Sequence, residues 1–337
     1  MSFEDHEITS TDTVAVVGQQ AWHGLATVLP EAPNVWGAMQ AAGLGWSIVP
    51  RPLIAVDQDA DPREVKVDTH KALFRSDSKE LLAVVGAGYH VLQNVDLATL
   101  IDNLGRNGSI PKIESAGSLR GGRDVFFCTR IGSFLAGGVD EVQKYLILAN
   151  TNDSTGAFDI CPSAIRTVCK NTLEAGKGSA RVRFTIRHTK GMANEIQNAA
   201  NLILDALEAH KDFEVAIQAM ADAKLSTTET RGFFERVWTR INSVSIERLN
   251  YNALDAESRQ GKRAAADLEA WTNAAYDDAR QASVRGTVWG AVNAITQWVD
   301  HDRKGRVDST YSKLFGPGRD IKAIATSEAF ALITKGV

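Results

Sequence analysis

The spacing of apolar residues divides the chain near residue 190. Up to that point the apolar runs are short and broken by turn formers, as in strands that bury one face. Runs at 46–49, 53–56, 64–68, 71–75 and 81–85 lie between Pro50, Pro52 and the stretches 59–62 and 77–79, which predicts a meander of antiparallel strands. Two helices flank it. Asn34 is an N-cap for a helix over 35–42 that stops at Gly43, and Val95, Leu97, Leu100, Ile101 and Leu104 form an apolar stripe on a helix over 94–104. Further strands are predicted at 113–118, at 123–131 after the turn Arg120-Gly121-Gly122, and at 145–149, a continuous apolar run suited to a sheet interior. A turn-rich loop over 150–159 then leads to a helix around 163–174 and an alternating strand over 180–188.

Beyond Gly191 apolar residues recur every three or four positions, the period of amphipathic helices. One long helix is predicted over 192–223. Ser226 and Glu229 form a capping box for a second, which buries Phe233, Phe234, Val237, Trp238 and Ile241. Helical stretches over 253–282 and 284–300 follow, and Gly316-Pro317-Gly318 breaks the chain before a last helix over 320–334. The expected fold class is α+β. Residues 14–190 form an antiparallel sheet with packed helices, residues 191–337 form a helical bundle, and residues 1–13 form an acidic arm with Glu4, Asp5, Glu7 and Asp12.

Composition narrows the class without naming a function. With 44% hydrophobic and 23% charged residues, the 337-residue chain is neither disordered nor collagen-like. Its 37 basic and 41 acidic residues give a net charge of −4 and a pI near 6.0, so the whole molecule exerts no pull on nucleic acid or an anionic membrane. Three cysteines, Cys128, Cys161 and Cys169, are too few and odd in number for a disulfide scaffold. The first residues lack a basic stretch followed by an apolar one, and no apolar run approaches the roughly 18 residues that cross a bilayer. The expectation is a protein of a reducing cytoplasm, without membrane contact.

Charge is uneven along the chain. Between Ser163 and Gly191 lie Arg166, Lys170, Lys177, Arg181, Arg183, Arg187 and Lys190 against the single acid Glu174, a local excess of +6. On a strand, Arg181, Arg183, Thr185 and Arg187 share one face and Val182, Phe184 and Ile186 the other. Such a strip suits a phosphate backbone, where each contact releases counterions regardless of base order. Arg120, Arg123 and Arg130 would extend it if the two strands were neighbours. The bland counterpart is the solvated face of a half-buried strand.

Other chemistry is thinner. Asp153, Asp159 and Glu174, near Lys170, would hold a hard cation in a metal-dependent nuclease. The same residue types in 150–156 also serve to satisfy backbone donors in turns. Cys161 and Cys169 are spaced too widely for a zinc pair. The glycine stretch 84–91 carries Val91 where a dinucleotide fingerprint needs its third glycine, and 176–179 fails as a phosphate-binding loop, so no cofactor is expected. Most of the seven tryptophans sit at helical core spacings and are read as packing.

Several ordered strings then stand out: Trp22-His23-Gly24-Leu25, Tyr89-His90-Val91-Leu92-Gln93-Asn94, Ala116-Gly117-Ser118-Leu119-Arg120-Gly121-Gly122-Arg123, Val168-Cys169-Lys170-Asn171-Thr172-Leu173 and Ile186-Arg187-His188-Thr189. With Gly286-Thr287-Val288-Trp289-Gly290 and the stretch 294–301, they resemble the phage/plasmid-like protein family, a domain-of-unknown-function family of bacteriophages, prophages and plasmids. Asn152-Asp153-Ser154 stands where that resemblance leads one to expect His-Asp-Gly. The resemblance implies a mobile-element protein and assigns no activity. The leading expectation is a non-catalytic protein that binds single-stranded DNA in phage replication or recombination. Its site would be Arg120, Arg123, Arg166, Lys170, Lys177, Arg181, Arg183, Arg187 and Lys190, with homo-oligomers forming through the long helix. The alternatives are a protein-interaction factor that blocks a host defence complex and a metal-dependent nuclease.

Overall fold

A computed structural model describes residues 13–17, 27–57, 63–106, 112–166, 171–174, 184–243, 259–303 and 317–334. Its centre is a large sheet of eight strands: β1 (Thr13–Val17), β2 (Thr27–Leu29), β6 (Ile113–Leu119), β7 (Asp124–Ala136), β8 (Asp140–Thr151), β9 (Phe158–Arg166), β10 (Asn171–Glu174) and β11 (Phe184–Ile186). They run in the order β10-β9-β8-β7-β6-β1-β2, and β11 also pairs with β9. All ladders are antiparallel except β1 with β2. A smaller antiparallel meander is made by β3 (Ile48–Asp57), β4 (Arg63–Arg75) and β5 (Leu81–Gly86).

The helices are α1 (Val35–Ala41), α2 (Asn94–Arg106), α3 (Met192–Gln197), α4 (Ala199–Asp222), α5 (Thr227–Asn242), α6 (Arg259–Tyr276), α7 (Val288–Gln297) and α8 (Pro317–Thr334). Sheet, packed helices and a C-terminal helical array make the fold α+β, as the apolar periods predict. Local signals set the helix ends. The Asn34 side chain accepts from the Gly37 amide, Ser226 and Glu229 form the reciprocal capping box, and Thr287 caps α7.

Three expectations fail. Within the stretch 163–174, expected as a helix, 163–166 end β9 and 171–174 are β10, with 167–170 outside the described residues: Arg166 to Ser163 pair with Asn171 to Glu174, and Arg166 to Phe158 with Val142 to Asn150. Pairing on both sides overrides the local preference of the sequence. The helix expected over 192–223 is interrupted at Asn198, which separates α3 from α4. Finally, the short runs at 46–56 join across Pro50 and Pro52 into one strand. β3 is an edge strand of its meander, where a residue without an amide proton is tolerated.

Alternation along β8 shows how the large sheet is buried. Val142, Leu146 and Leu148 lie on the face covered by helices. Tyr145, Ile147 and Ala149 lie on the other, with Phe126, Cys128 and Cys161. Both cysteines are buried, and burial pushes the Cys128 thiol up to about 12. On the helical face one apolar cluster gathers Phe127, Leu146, Phe158 and Ile160 with Leu97 and Ile101 of α2 and Ala199 and Ile203 of α4. A second gathers Ala136 and Val142 with Phe213, Ile217 and Met220 of α4 and the bundle residues Phe233, Trp238, Trp271 and Trp289. Trp238, Trp271 and Trp289 are fully buried, in line with the packing role expected of them.

Polar ties reinforce this packing. The buried Trp289 indole donates to Asp140 at 2.8 Å, fastening α7 to the start of β8. Lys322 of α8 forms an ion pair with Asp300 at 2.9 Å, with side chains 1% and 7% exposed, inside a π-helical turn over Trp298–Asp302. Removing one partner of a pair this deeply desolvated leaves a buried uncompensated charge. Lys322→Met alone is therefore expected to cost about 3–5 kcal/mol, and Lys322→Met with Asp300→Asn less than Lys322→Met alone, measured as urea unfolding midpoints.

Candidate nucleic-acid interface

Four connections converge where β6, β8 and β11 end and β7 and β9 begin. The β6–β7 turn contains three successive residues with positive φ, Arg120 at 54°, Gly121 at 69° and Gly122 at 98°. A side chain at Gly122 would start 3.0 Å from the Trp46 ring and 3.1 Å from Arg75 Nη1, so the turn packs closely enough to require glycine. Arg75 lies over Trp46, donates to Gly121 O at 3.1 Å and pairs with Asp77, whose carboxyl it holds below the usual range. The small meander is thereby tied to the turn.

Arg120 bridges two carboxylates, pairing with Asp124 at the start of β7 and with Asp153 at 2.8 Å in the β8–β9 loop. Asp124 also accepts from Thr151 Oγ1 at 2.8 Å. Burial raises its pKa, and the Arg120 hydrogen bond opposes that rise. Within the same loop Asn152 donates to Gly122 O, its own amide bonds to Arg123 O, and Asn150 donates to Asn152 Oδ1 at 2.7 Å. Asp153 accepts from the amide and hydroxyl of Thr155, the turn role expected of such residues.

The β5–α2 and β11–α3 connections close the arrangement. Tyr89 and His188 stack with centroids 4.4 Å apart and planes 9° apart. Tyr89 donates to Thr151 O at 3.2 Å, and His188 Nδ1 donates to His90 O at 2.8 Å, which fixes its tautomer. Burial lowers the His188 pKa, and Nε2 has no hydrogen-bond partner among the described residues. At the rim stand cations held only by carbonyls or by solvent. Lys71 Nζ bonds to Tyr89 O at 2.7 Å and to Ala87 O at 3.2 Å, and Arg123 Nε bonds to Leu82 O at 3.0 Å. Arg187 and Lys190 are exposed, with Lys190 lying along the turn at Gly88. Among the described residues, none of these four forms an ion pair.

The structure thus gathers Arg120, Arg123, Arg187 and Lys190. Their strands are not neighbours, since β8 and β9 separate β7 from β11, and the approach is made by the loops. Arg130 pairs with Glu114 at 2.8 Å near the other end of the β6–β7 ladder. Arg166 closes β9, eight residues from Phe158 and so about 26 Å along the strand. Lys170, Lys177, Arg181 and Arg183 lie outside the described residues, as does Trp22.

The three carboxylates do not assemble. Asp153 is held by Arg120, Asp159 is buried and accepts from Thr185 at 2.7 Å, and Glu174 sits opposite Ser163, four residues along β9 from Asp159, about 13 Å. Among the described residues, no three His, Cys, Asp or Glu side chains are grouped as metal ligands. No described helix is long and apolar enough to cross a membrane.

A family described as a domain of unknown function, DUF932, matches residues 81–324. The chain belongs to this family. The matched span holds β5 to β11 and most of the helices, with every side chain of the convergent cluster except Arg75, Trp46, Lys71 and Asp77. No curated protein and no solved structure matches the chain. Sequence reasoning missed Tyr89, His188, Asn150 and Lys71 as members of the DUF932 cluster. Tyr89 and His188 stand in strings that carry the family resemblance, which was the available signal; nothing local marks Lys71.

The His188 environment sets a pH dependence. Its folded pKa lies below the ordinary 6.5, so below pH 6.5 the unfolded chain takes up the proton first and stability falls with falling pH, until the folded pKa is passed. His188→Phe keeps a ring against Tyr89 and cannot titrate. Thermal unfolding scanned from pH 7.5 downward is expected to show a smaller acid loss for this variant, on a baseline lowered by about 1 kcal/mol for the missing hydrogen bond.

Proposed function

We propose that this DUF932 protein is encoded by a phage or related mobile element and binds nucleic acid, single-stranded DNA foremost, in replication or recombination. The observation that carries the reading is the separation of charge at the convergent end. Arg120 consumes the carboxylates Asp124 and Asp153, while Arg123, Arg187, Lys190 and Lys71 keep their charge at the rim without an acidic partner among the described residues. A rim of this kind neutralises phosphates without reading bases, and gains affinity by releasing counterions. The excess of +6 over 163–191 in a chain of net charge −4 puts further cations in the same stretch of sequence. No bond-breaking step is assigned, because the candidate carboxylates are spread along β9 or held by Arg120.

Fluorescence anisotropy of labelled single- and double-stranded oligonucleotides at two salt concentrations tests this. Binding is expected to weaken steeply with salt. Arg187→Glu and Lys190→Glu, each of which takes one cation from the rim, are each expected to flatten the log–log slope by about 0.7 on a single strand. Salt-independent binding, or binding that both variants leave unchanged, would overturn the proposal.

A further inference from the structure

The connection from β11 to α3 hangs on one side chain. Of the five residues between the buried Ile186 and Met192, only His188 is buried, at 7% exposure; Arg187, Thr189, Lys190 and Gly191 are exposed. The ring is held by its stack on Tyr89 and by Nδ1, which donates to His90 O, and the His188 carbonyl accepts from the His90 amide at 3.1 Å. Tyr89 is fixed in turn, its hydroxyl donating to Thr151 O and its carbonyl accepting from Lys71. Two rim cations, Arg187 and Lys190, therefore keep their places through the imidazole that lies between them in sequence.

That imidazole is placed to be neutral. With Nδ1 donating, Nε2 carries a lone pair, and in its buried position it has no hydrogen-bond partner among the described residues. A proton there would create a buried donor, and Thr151 O, the carbonyl toward which it would turn, already accepts from Tyr89. The charges facing the ring do not reverse this. Asp159 of β9 favours the imidazolium but already accepts from Thr185, and Asp153 of the β8–β9 loop is engaged by Arg120. His90, Arg187, Lys190 and Lys71 add like charge. Burial prevails, and the His188 pKa lies below 6.5. Opening the connection exposes the ring and returns its pKa towards 6.5, so acid favours the open form. We propose that His188 is a pH-governed latch on the cation rim: neutral, it holds Arg187 and Lys190 in place, and its protonation frees the β11–α3 connection and weakens the binding of nucleic acid. The binding half rests on the proposed function; the latch does not.

Amide hydrogen exchange of the free full chain at pH 7.5 and 5.5, corrected for the intrinsic pH dependence of exchange, reads the latch. The His90 and Met192 amides, which bond to His188 O and Thr189 O, are expected to be less protected than that of Leu148 in the sheet interior, the mark of a local opening. Their protection is expected to fall at least about threefold at pH 5.5. His188→Phe keeps a ring against Tyr89 and His188→Asn keeps a donor for His90 O, and in both the fall is expected to vanish. Anisotropy with a labelled single strand at fixed ionic strength is expected to show weaker binding by the parent at pH 5.5 than at pH 7.5, since affinity scales with the latched fraction. Both variants, which retain His90, are expected to hold or gain affinity. Protection of the parent that does not change with pH, a fall of equal size in both variants, or tighter binding by the parent at pH 5.5 would overturn the proposal. Loss of protection without oligonucleotide binding at either pH would support the latch and overturn the nucleic-acid reading alone.

Discussion

One helix holds the molecule together. α4 places Ala199 and Ile203 in the apolar cluster beneath the first half of the sheet, and Phe213, Ile217 and Met220 in the cluster of the bundle. A helix that faces two cores along its length needs apolar residues on a stripe that stays continuous for 24 residues, and the sequence supplies them at spacings of three and four. The break at Asn198 then frees α3 to follow the turn at His188. Sheet and bundle are therefore coupled through packing rather than through a linker. The Trp289–Asp140 bond adds a directional contact at the turn of the β7–β8 hairpin, where α4 meets the bundle.

The convergent end of the sheet works by a different principle. Three positive φ values in a row bend the β6–β7 turn so that Arg120 reaches Asp124 at the start of β7 and Asp153 in the β8–β9 loop. Neutralising those acids internally costs desolvation, visible in the raised pKa of Asp124. What it achieves is electrostatic: Asp124 and Asp153 are taken up by Arg120, while Arg123, Arg187, Lys190 and Lys71 form no ion pair among the described residues.

Legibility followed locality. Helix starts at Asn34 and Ser226 rest on hydrogen bonds within three residues, and the chain announces them, whereas the helix expected from 284 begins only after its cap at Thr287. The stretch 163–174 could not be read the same way, because its conformation is decided by β8, some twenty residues upstream in sequence and adjacent only in space. Pro50 and Pro52 look like breakers until β3 is known to lie at an edge. For the site, exposed cations such as Arg187 and Lys190 were visible as a charge excess. Lys71 and the Tyr89–His188 stack come from segments some 20 to 120 residues apart, and their proximity exists only after folding.

The register of three strands has a last consequence, for redox chemistry. Cys128 stands opposite Ile147, and Ile147 opposite Cys161, so the two thiols occupy one row with a whole strand between them, about 9.6 Å. That span is too wide for a sulfur–sulfur bond without tearing the ladder. These two thiols therefore cannot join each other while the strands stay paired, and burial disfavours the thiolate that an oxidant would attack at Cys128.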